Sequence, residues 1–236
     1  MAGISGPNIV TSGLVLWLDA ADPVSYPGSG TTWYDSSGNR NTGTITNSPT
    51  YNSANSGYFT FNGTTQYVSI GASVVPDNTS FTASLWLNYT ITSGTFYDIV
   101  NTRATTANNP GFLLTTDNVS ASGKIRVQLN TAAGVNSWTS SGASIATGTW
   151  KNVVISVDKT NNILTFYINA TQDYSTSISV GAMTGQSTMT IAYDPAYAGA
   201  GNYFGGSISN MLVYNQALTV AQVQQNFNSL RYRYGI

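Results

Sequence analysis

The chemistry open to this sequence is limited by the residue types that it lacks. The chain has 236 residues with no histidine and no cysteine, and its nine Asp account for the whole Asp and Glu count, so glutamate is absent too. Without His or Cys there is no Ser-His-Asp or Cys-His nucleophile and no ordinary zinc site. A glycosidase could use two Asp residues that flank the scissile bond, but no Asp pair here lies in a recognisable motif. We therefore expect a protein that is not an enzyme.

One segment carries oxygen-bearing side chains at the alternate spacing of a calcium loop. In DSSGNRN these residues are Asp35, Ser37, Asn39 and Asn41. An EF-hand is excluded because Thr46 holds the twelfth position, where a Glu would be needed. The alternative is a chain of Asx-turns that holds a long loop in place, and the sequence favours it. The expected cofactor is therefore none, with calcium at these four residues left open.

Aromatic residues, at 12% of the chain, offer a second kind of site. Sugar rings stack on flat aromatic faces, while amides and carboxylates hydrogen-bond their hydroxyl groups. The same side chains could instead fill a loop core or a subunit interface, where Tyr and Trp are enriched. The candidate glycan-binding residues, which we expect in or around loops, are Asp98, Trp138, Tyr193, Asp194, Tyr197, Asn202 and Tyr203.

The elements that must position these residues are β-strands. Short runs rich in Val, Ile, Thr, Tyr, Phe and Trp alternate with Gly, Asn, Asp and Ser clusters, which predicts an all-β, two-sheet antiparallel sandwich. From Leu218 onward the period changes to that of one amphipathic helix, with Thr219 as its N-cap and Gln222 completing a capping box. The predicted strands are 14–18, 58–61, 67–70, 81–89, 96–100, 112–115, 124–129, 150–157, 163–168, 189–193 and 208–214.

Charge and composition restrict the partners. Charged residues make up only 7% of the chain and the net charge is -1, so there is no basic surface for nucleic acid. Little net charge offers little repulsion between copies, which suits a homo-oligomer. The N-terminus lacks a basic region, and its apolar run is too short for a signal peptide or a membrane span. These features predict release by host lysis, as for a virion component, and no membrane insertion.

Several segments together resemble the concanavalin A-like lectin/glucanase superfamily, and more narrowly its laminin-G-like jelly-roll domains. YFTFNGTTQYVSI is similar to a paired-strand motif of that family, TWKNVVISVDKTNNILTFYINA to its W-h-x-v hairpin, and GGSISNMLVYNQALTVAQVQQNFN to its closing strand and helix. The opening GPNIVTSGLVLWLDAADPVSYPGSGTTWYD most resembles laminin-G-like proteins of tailed phages, which are virion structural components. The resemblance implies one jelly-roll domain over residues 1–236, with its core at about 13–230.

The departures from the family bear on function. Its glucanase members use a pair of Glu residues on one strand, which this chain lacks, so that activity is not implied. Asn62 and Gln66 stand where related domains often have Asp, which removes two charges that would favour calcium. We expect a non-enzymatic virion protein, in a capsid decoration or a tail fibre, that contacts other virion proteins or its own copies and adheres to host glycans. The alternative is a secreted bacterial carbohydrate-binding module or adhesin, with or without calcium.

Overall fold

The computed structural model describes residues 8–89, 97–104, 108–117, 123–140, 142, 144–186, 188–197 and 202–236. Two antiparallel sheets of eight strands each pack face to face. The first sheet contains β1 (Leu14–Asp19), β4 (Thr50–Asn52), β5 (Tyr58–Asn62), β7 (Phe81–Asn88), β12 (Lys151–Asp158), β13 (Ile163–Ile168), β14 (Thr171–Ser177) and β16 (Gly205–Tyr214). The second sheet contains β2 (Thr32–Trp33), β3 (Gly43–Thr46), β6 (Tyr67–Ile70), β8 (Asp98–Asn101), β9 (Gly111–Asp117), β10 (Lys124–Thr131), β11 (Gly134–Thr139) and β15 (Met189–Ile191).

The strand order determines which strands lie at the ends of each sheet. The first sheet runs β14-β13-β12-β7-β16-β5-β4, with β1 paired to β16, and the second runs β11-β10-β9-β8-β15-β6-β3-β2. One α-helix, α1 (Val220–Leu230), follows the last strand. Three short 3₁₀ helices cover Ala54–Ser56, Pro195–Tyr197 and Arg231–Tyr234. The all-β, two-sheet sandwich with one C-terminal helix is confirmed. No helix in the described ranges has the length and apolar character needed to cross a membrane.

The core lies between the two sheets. Strands of both sheets alternate inward apolar side chains with outward polar ones, as the two-residue period of a strand requires. In β10, for example, Ile125, Val127 and Leu129 are fully buried, whereas the residues between them are partly exposed. Large aromatic side chains from both sheets fill the centre, namely Trp33, Phe59, Phe81, Phe112 and Phe166.

The predicted strands that lie in the described residues are all present, but five strands were missed. These five are β2, β3, β4, β11 and β14. Their sequences are short or polar: β14 reads TQDYSTS, and its side chains are mostly exposed. Such strands form because a neighbouring strand supplies backbone partners, and hydrophobic alternation does not mark them. The predicted hairpin between β12 and β13 is confirmed, with Asn162 in the left-handed region at φ 57°.

The outer face of the first sheet is covered by the C-terminal helix. Thr219 caps α1, and the reciprocal hydrogen bonds with Gln222 form the predicted capping box. Beyond α1, Tyr234 stacks on Trp86 of β7 with ring centroids 4.0 Å apart. The N-terminal segment lies against the same helix, because Val10 N donates to Asn226 Oδ1 at 2.8 Å. The helix and the N-terminal segment therefore cover the part of this face around Trp86, whereas the outer face of the second sheet carries a pocket.

Candidate functional site

A pocket of about 350 Å³ lies on the outer face of the second sheet, on the side turned away from the core. Its lining comes from strands β8, β9 and β10 and from the two loops that follow β8 and β15. Six of the seven lining residues have polar or charged side chains, and one side chain is aliphatic. The lining residues are Asp98, Arg103, Leu113, Thr115, Arg126, Gln128 and Asn202.

Strand alternation places the lining residues side by side. Arg126 pairs with Thr115 across β10 and β9, and Gln128 pairs with Leu113 two positions further along. Directly opposed residues in an antiparallel pair project from the same face. Their neighbours in sequence, such as Val127 and Leu114, are fully buried in the core. A register shift between Asp98 and Val100 in β8 brings Asp98 opposite Thr115 and adds it to the same face.

Arg103 forms the rear wall of the pocket and is almost completely buried, at 1% exposure. Its guanidinium forms an ion pair with Asp194, which is itself fully buried. The same group donates from Nη1 to Gln128 Oε1 at 2.8 Å and from Nε to Asn101 Oδ1 at 3.1 Å. A buried guanidinium is tolerated only when a counter-charge and hydrogen-bond acceptors surround it. Arg103 therefore fixes the loops after β8 and β15 to strand β10.

Asp98 is the other charged group within this wall. Burial, and after it the nearby Asp194 charge, raise the pKa of its carboxyl, whereas Thr115, Arg103 and Asn202 lower it, and the resulting pKa is about 7. Its Oδ2 atom is buried and has no hydrogen-bond partner among the described residues. A buried carboxyl oxygen without a partner is costly. Near neutral pH this carboxyl is thus divided between its neutral and charged forms, at the edge of a pocket.

Three tyrosines stack beside this pocket. Tyr193 and Tyr203 lie nearly parallel, with ring centroids 4.5 Å apart and an interplanar angle of 18°. Tyr67 of β6 contacts Tyr193 with centroids 4.9 Å apart. Isolated bridges link the backbone of Tyr203 to both Asp98 and Tyr193, so the stack adjoins the pocket wall. All three rings remain partly exposed, which leaves aromatic surface next to polar groups.

The structure brings together five of the seven predicted glycan-binding residues. Asp98 and Asn202 line the pocket, Asp194 lies behind it with Arg103, and Tyr193 and Tyr203 form the stack. Tyr197 ends the 3₁₀ helix Pro195–Tyr197, and its side chain lies outside the described part of the chain.

The expected loop position of Trp138 was wrong. Trp138 lies on β11, directly opposite Val127, and packs against the core. Because Val127 points into the sandwich, Trp138 occupies the core side of the second sheet, and the pocket lies on the other side. The strand was missed because GVNSWT contains too few apolar residues to show an alternation.

The calcium candidates form a hydrogen-bonded loop. Asp35 Oδ1 accepts from the backbone N–H groups of Trp17 and Ser37, both at 2.9 Å, and Oδ2 accepts from Ser37 Oγ at 2.8 Å and Asn41 N at 2.9 Å. Asn39 and Asn41 donate from their side-chain amides to carbonyls of β1. Both carboxylate oxygens thus have protein donors, as in a chain of Asx-turns. No cluster of three acidic residues is found in the described ranges, and calcium binding here stays a prediction.

Four pocket residues besides the buried Arg103 were not predicted, namely Leu113, Thr115, Arg126 and Gln128. One signal was present in the sequence: KIRVQL, residues 124–129, places Lys124, Arg126 and Gln128 on one face of a strand. Arg103 carries no such signal. It stands alone between polar residues of a loop, and only the fold brings it to Asp194, 91 positions later.

These observations define a concanavalin A-like jelly roll with a polar pocket on one sheet. The laminin-G family model described as the concanavalin A-like lectin/glucanases superfamily matches residues 62–224, more than half of the chain. The chain therefore belongs to the concanavalin A-like lectin/glucanases superfamily. No curated protein matches the sequence significantly.

Solved structures with the same fold include clostridial toxin binding domains. The binding domain of Paraclostridial mosquitocidal protein 1 is similar at a TM-score of 0.72 and 18% identity, over 92% of this chain and 52% of that one. The botulinum neurotoxin serotype G binding domain gives 0.70 and 16%, over 91% and 50%. A type C neurotoxin structure, whose cell entry is described as dependent upon interaction with two ganglioside molecules, gives 0.69 and 17%, over 94% and 52%. This chain spans about half the length of these neighbours, and at such identities the likeness shows the fold alone.

Proposed function

We propose that this protein is a non-enzymatic glycan-binding module whose site is the pocket on the second sheet with the adjoining tyrosine stack. The observation that carries the proposal is the position of a polar pocket of about 350 Å³ beside three partly exposed rings. Ligand sites for small molecules have volumes of about 300–1,000 Å³ and combine apolar faces with a few fixed polar groups. A pocket of this size accommodates one or two sugar rings.

The chemistry of the lining suits sugar hydroxyls. Gln128, Asn202 and Thr115 supply amide and hydroxyl groups that both donate and accept hydrogen bonds. Asp98 adds a carboxyl to the lining, and its Oδ2 atom is buried from solvent. Because Arg103 is fixed by Asp194, Gln128 and Asn101, the wall is already arranged before binding, which lowers the entropy cost of association.

The same geometry disfavours hydrolysis. A glycosidase needs two carboxyl groups that both reach the scissile bond. Among the described residues, Asp98 is the one carboxylate in the lining, and Asp194 behind it is fully buried and paired with Arg103. A substrate cannot reach that second carboxylate. The interaction of the type C neurotoxin with gangliosides gives only general support for glycan binding by this chain, because the matched region is about half of that neurotoxin chain.

A glycan array, followed by titration of the best ligand, tests this proposal. We expect Tyr203→Ala to weaken binding about five- to thirtyfold, since loss of one aromatic stacking surface costs about 1–2 kcal/mol. Tyr34→Ala is the matched control, because Tyr34 is 49% exposed, directly follows β2 and does not line the pocket. The pocket is rejected as the site if neither the wild type nor Tyr34→Ala binds any glycan on the array. It is also rejected if the wild type, Tyr34→Ala and Tyr203→Ala bind equally well.

We also propose, as a finer statement, that the module is displayed on a virus particle and associates with its own copies or with other virion proteins. The supporting observation is that both sheets end in a nearly uncharged edge strand. β14 carries one charged residue, Asp173, which accepts a hydrogen bond from Gly142 N at 3.2 Å, and β11 carries none. That bond also connects the segment after β11 to β14, so the two edges lie on the same side of the sandwich. Edge strands with few charged residues favour pairing with another chain.

The virion setting is tested by mass spectrometry of purified particles and by light scattering of the isolated protein. We expect the protein in the particles, and a homo-oligomer that Ser175→Pro on β14 dissociates, because proline removes a backbone donor from an edge. Ser53→Pro, outside both edges, is the control. Secretion by a bacterium and a stable monomer would instead support the carbohydrate-binding module or adhesin.

A further inference from the structure

The charged residues at the pocket indicate which class of sugar it takes. Only 7% of the chain is charged, yet three charged side chains line this one pocket, namely Asp98, Arg103 and Arg126. Arg103 is matched by Asp194 behind it. Arg126 and Asp98 are the other two charged side chains in the lining, and both charges act on a bound ligand. Neutral sugars require no such arrangement, because amides and hydroxyls are sufficient to bind them.

We propose that the ligand of this pocket is a sugar that carries a carboxylate, and that Arg126 binds this carboxylate. The inference rests on the proposed function and narrows it to a substrate class. Arg126 stands on β10 between Thr115 and Thr139 of the neighbouring strands, and its side chain is partly exposed. It donates from Nη2 to Ser137 Oγ at 3.2 Å. A guanidinium has five N–H donors in a planar fork that matches a carboxylate with two parallel hydrogen bonds.

Asp98 determines when this carboxylate is accepted. An ionised Asp98 repels a ligand carboxylate in the same pocket, whereas a neutral Asp98 does not. The charged or titratable groups that face Asp98 are Arg103 and Asp194 from the two loops, Arg126 from β10, and Tyr203 beside β8. Burial already holds the pKa of Asp98 at about 7. Binding of an acidic sugar should therefore take up a proton at neutral pH.

Three matched probes test the substrate class, namely methyl glucuronide, methyl glucoside and the methyl glycoside of N-acetylneuraminic acid. The first two differ only at C6, and the third distinguishes sialic acids from uronic acids as the source of the carboxylate. At pH 6 we expect one of the two acids to bind at least tenfold more tightly than methyl glucoside. Arg126→Gln should reduce this preference to less than threefold, and Arg126→Lys should give an intermediate value, because it keeps the charge and loses the fork.

Lys124→Gln is the control variant, because Lys124 lies on the same strand and face but outside the pocket lining. It should leave the preference unchanged, and thermal midpoints check that all variants fold. Equal binding of methyl glucoside and both acids would overturn the inference and keep the proposed function. If none of the three probes binds, the glycan array decides between two outcomes. Binding of neutral glycans on the array would overturn the inference, whereas an array without any bound glycan would reject the proposed function itself.

A pH titration gives a second readout that a merely structural role would not change. With the pKa at about 7, the neutral fraction of Asp98 falls about tenfold between pH 6 and pH 8. Affinity for the acidic probe should fall by about the same factor, and Asp98→Asn should abolish that fall. An acidic probe whose affinity is flat from pH 6 to pH 8 with the wild type would overturn the role of Asp98.

Discussion

Replacing Asp98 by Asn should make the protein more stable at alkaline pH, because the substitution removes a buried charge. The pKa of this carboxyl is raised from 3.8 to about 7, chiefly by burial. The neutral form is therefore favoured in the folded state, and folding takes up a proton between these two pH values. The stability that this group contributes is complete at low pH and is lost as the pH rises to about 7.

The size of the effect follows from the same values. A rise from 3.8 to about 7, at about 1.4 kcal/mol per pH unit, corresponds to about 4 kcal/mol. An Asn side chain keeps the shape of Asp98 but does not ionise. The free energy of unfolding of Asp98→Asn, minus that of the wild type, should thus increase by about 4 kcal/mol between pH 4 and pH 8. Contributions from the other titrating groups cancel in this difference.

Urea denaturation of both proteins from pH 4 to pH 9 measures the difference directly. Asp158→Asn is the matched control, because its pKa is lowered by hydrogen bonds from Asn161 and Thr160. Stability from Asp158 is present at neutral pH and lost on acidification, so its difference should change in the opposite direction. A difference between Asp98→Asn and the wild type that stays constant across this range would refute the assignment of a buried, titrating carboxyl.

Three further predictions concern the scaffold. Tyr234→Ala should lower the free energy of unfolding by about 3 kcal/mol, because the ring stacks on the buried Trp86 with centroids 4.0 Å apart. Tyr232 is 54% exposed, so Tyr232→Ala should change the free energy of unfolding by less than about 0.5 kcal/mol. Equal losses for the two variants in urea denaturation would contradict this prediction. Gly57→Ala should cost more than about 2 kcal/mol, because Gly57 has φ +135° and an added Cβ would lie 2.3 Å from a carbonyl oxygen. Gly71→Ala meets no atom within 4 Å and is its control in the same assay. Asp35→Ala should lower the thermal midpoint equally in calcium and in chelator, since hydrogen bonds occupy both carboxylate oxygens; a loss seen only with calcium would show a metal site.

The part of the fold that hydrophobic period and capping define was predictable from the sequence. The closing strand and helix are an example, because Thr219 and Gln222 form the capping box that their spacing indicates. The edge strands were not predictable, since β11 and β14 have side chains that mostly meet solvent. Their pairing depends on backbone groups of β10 and β13, which carry no residue-specific signal.

The site was predictable in its loop residues and not in its strand residues. Asp194, Asn202 and Tyr203 belong to a polar loop with aromatic residues, which is a pattern visible in one sequence. The position of Arg103 depends on a contact across 91 residues, which no local pattern encodes. Arg126 was overlooked because alternate polar residues in a strand are also what solvent exposure produces.

The two faces of the sandwich differ in how their polar groups are used, and this difference bears on where function resides. On the first sheet, α1, the final 3₁₀ helix and the N-terminal segment cover an aromatic layer around Trp86 and Trp150. The ion pair between Arg233 and Asp19, with both oxygens at 2.9 Å, holds the chain end there. On the second sheet, the ion pair between Arg103 and Asp194 orders a pocket wall beside a carboxyl oxygen without a partner in the described residues. The first of these two ion pairs thus holds the chain end on one sheet, and the second builds a site on the other sheet. Disrupting Arg233 should therefore reduce stability alone, whereas disrupting Arg103 should reduce stability and ligand binding together.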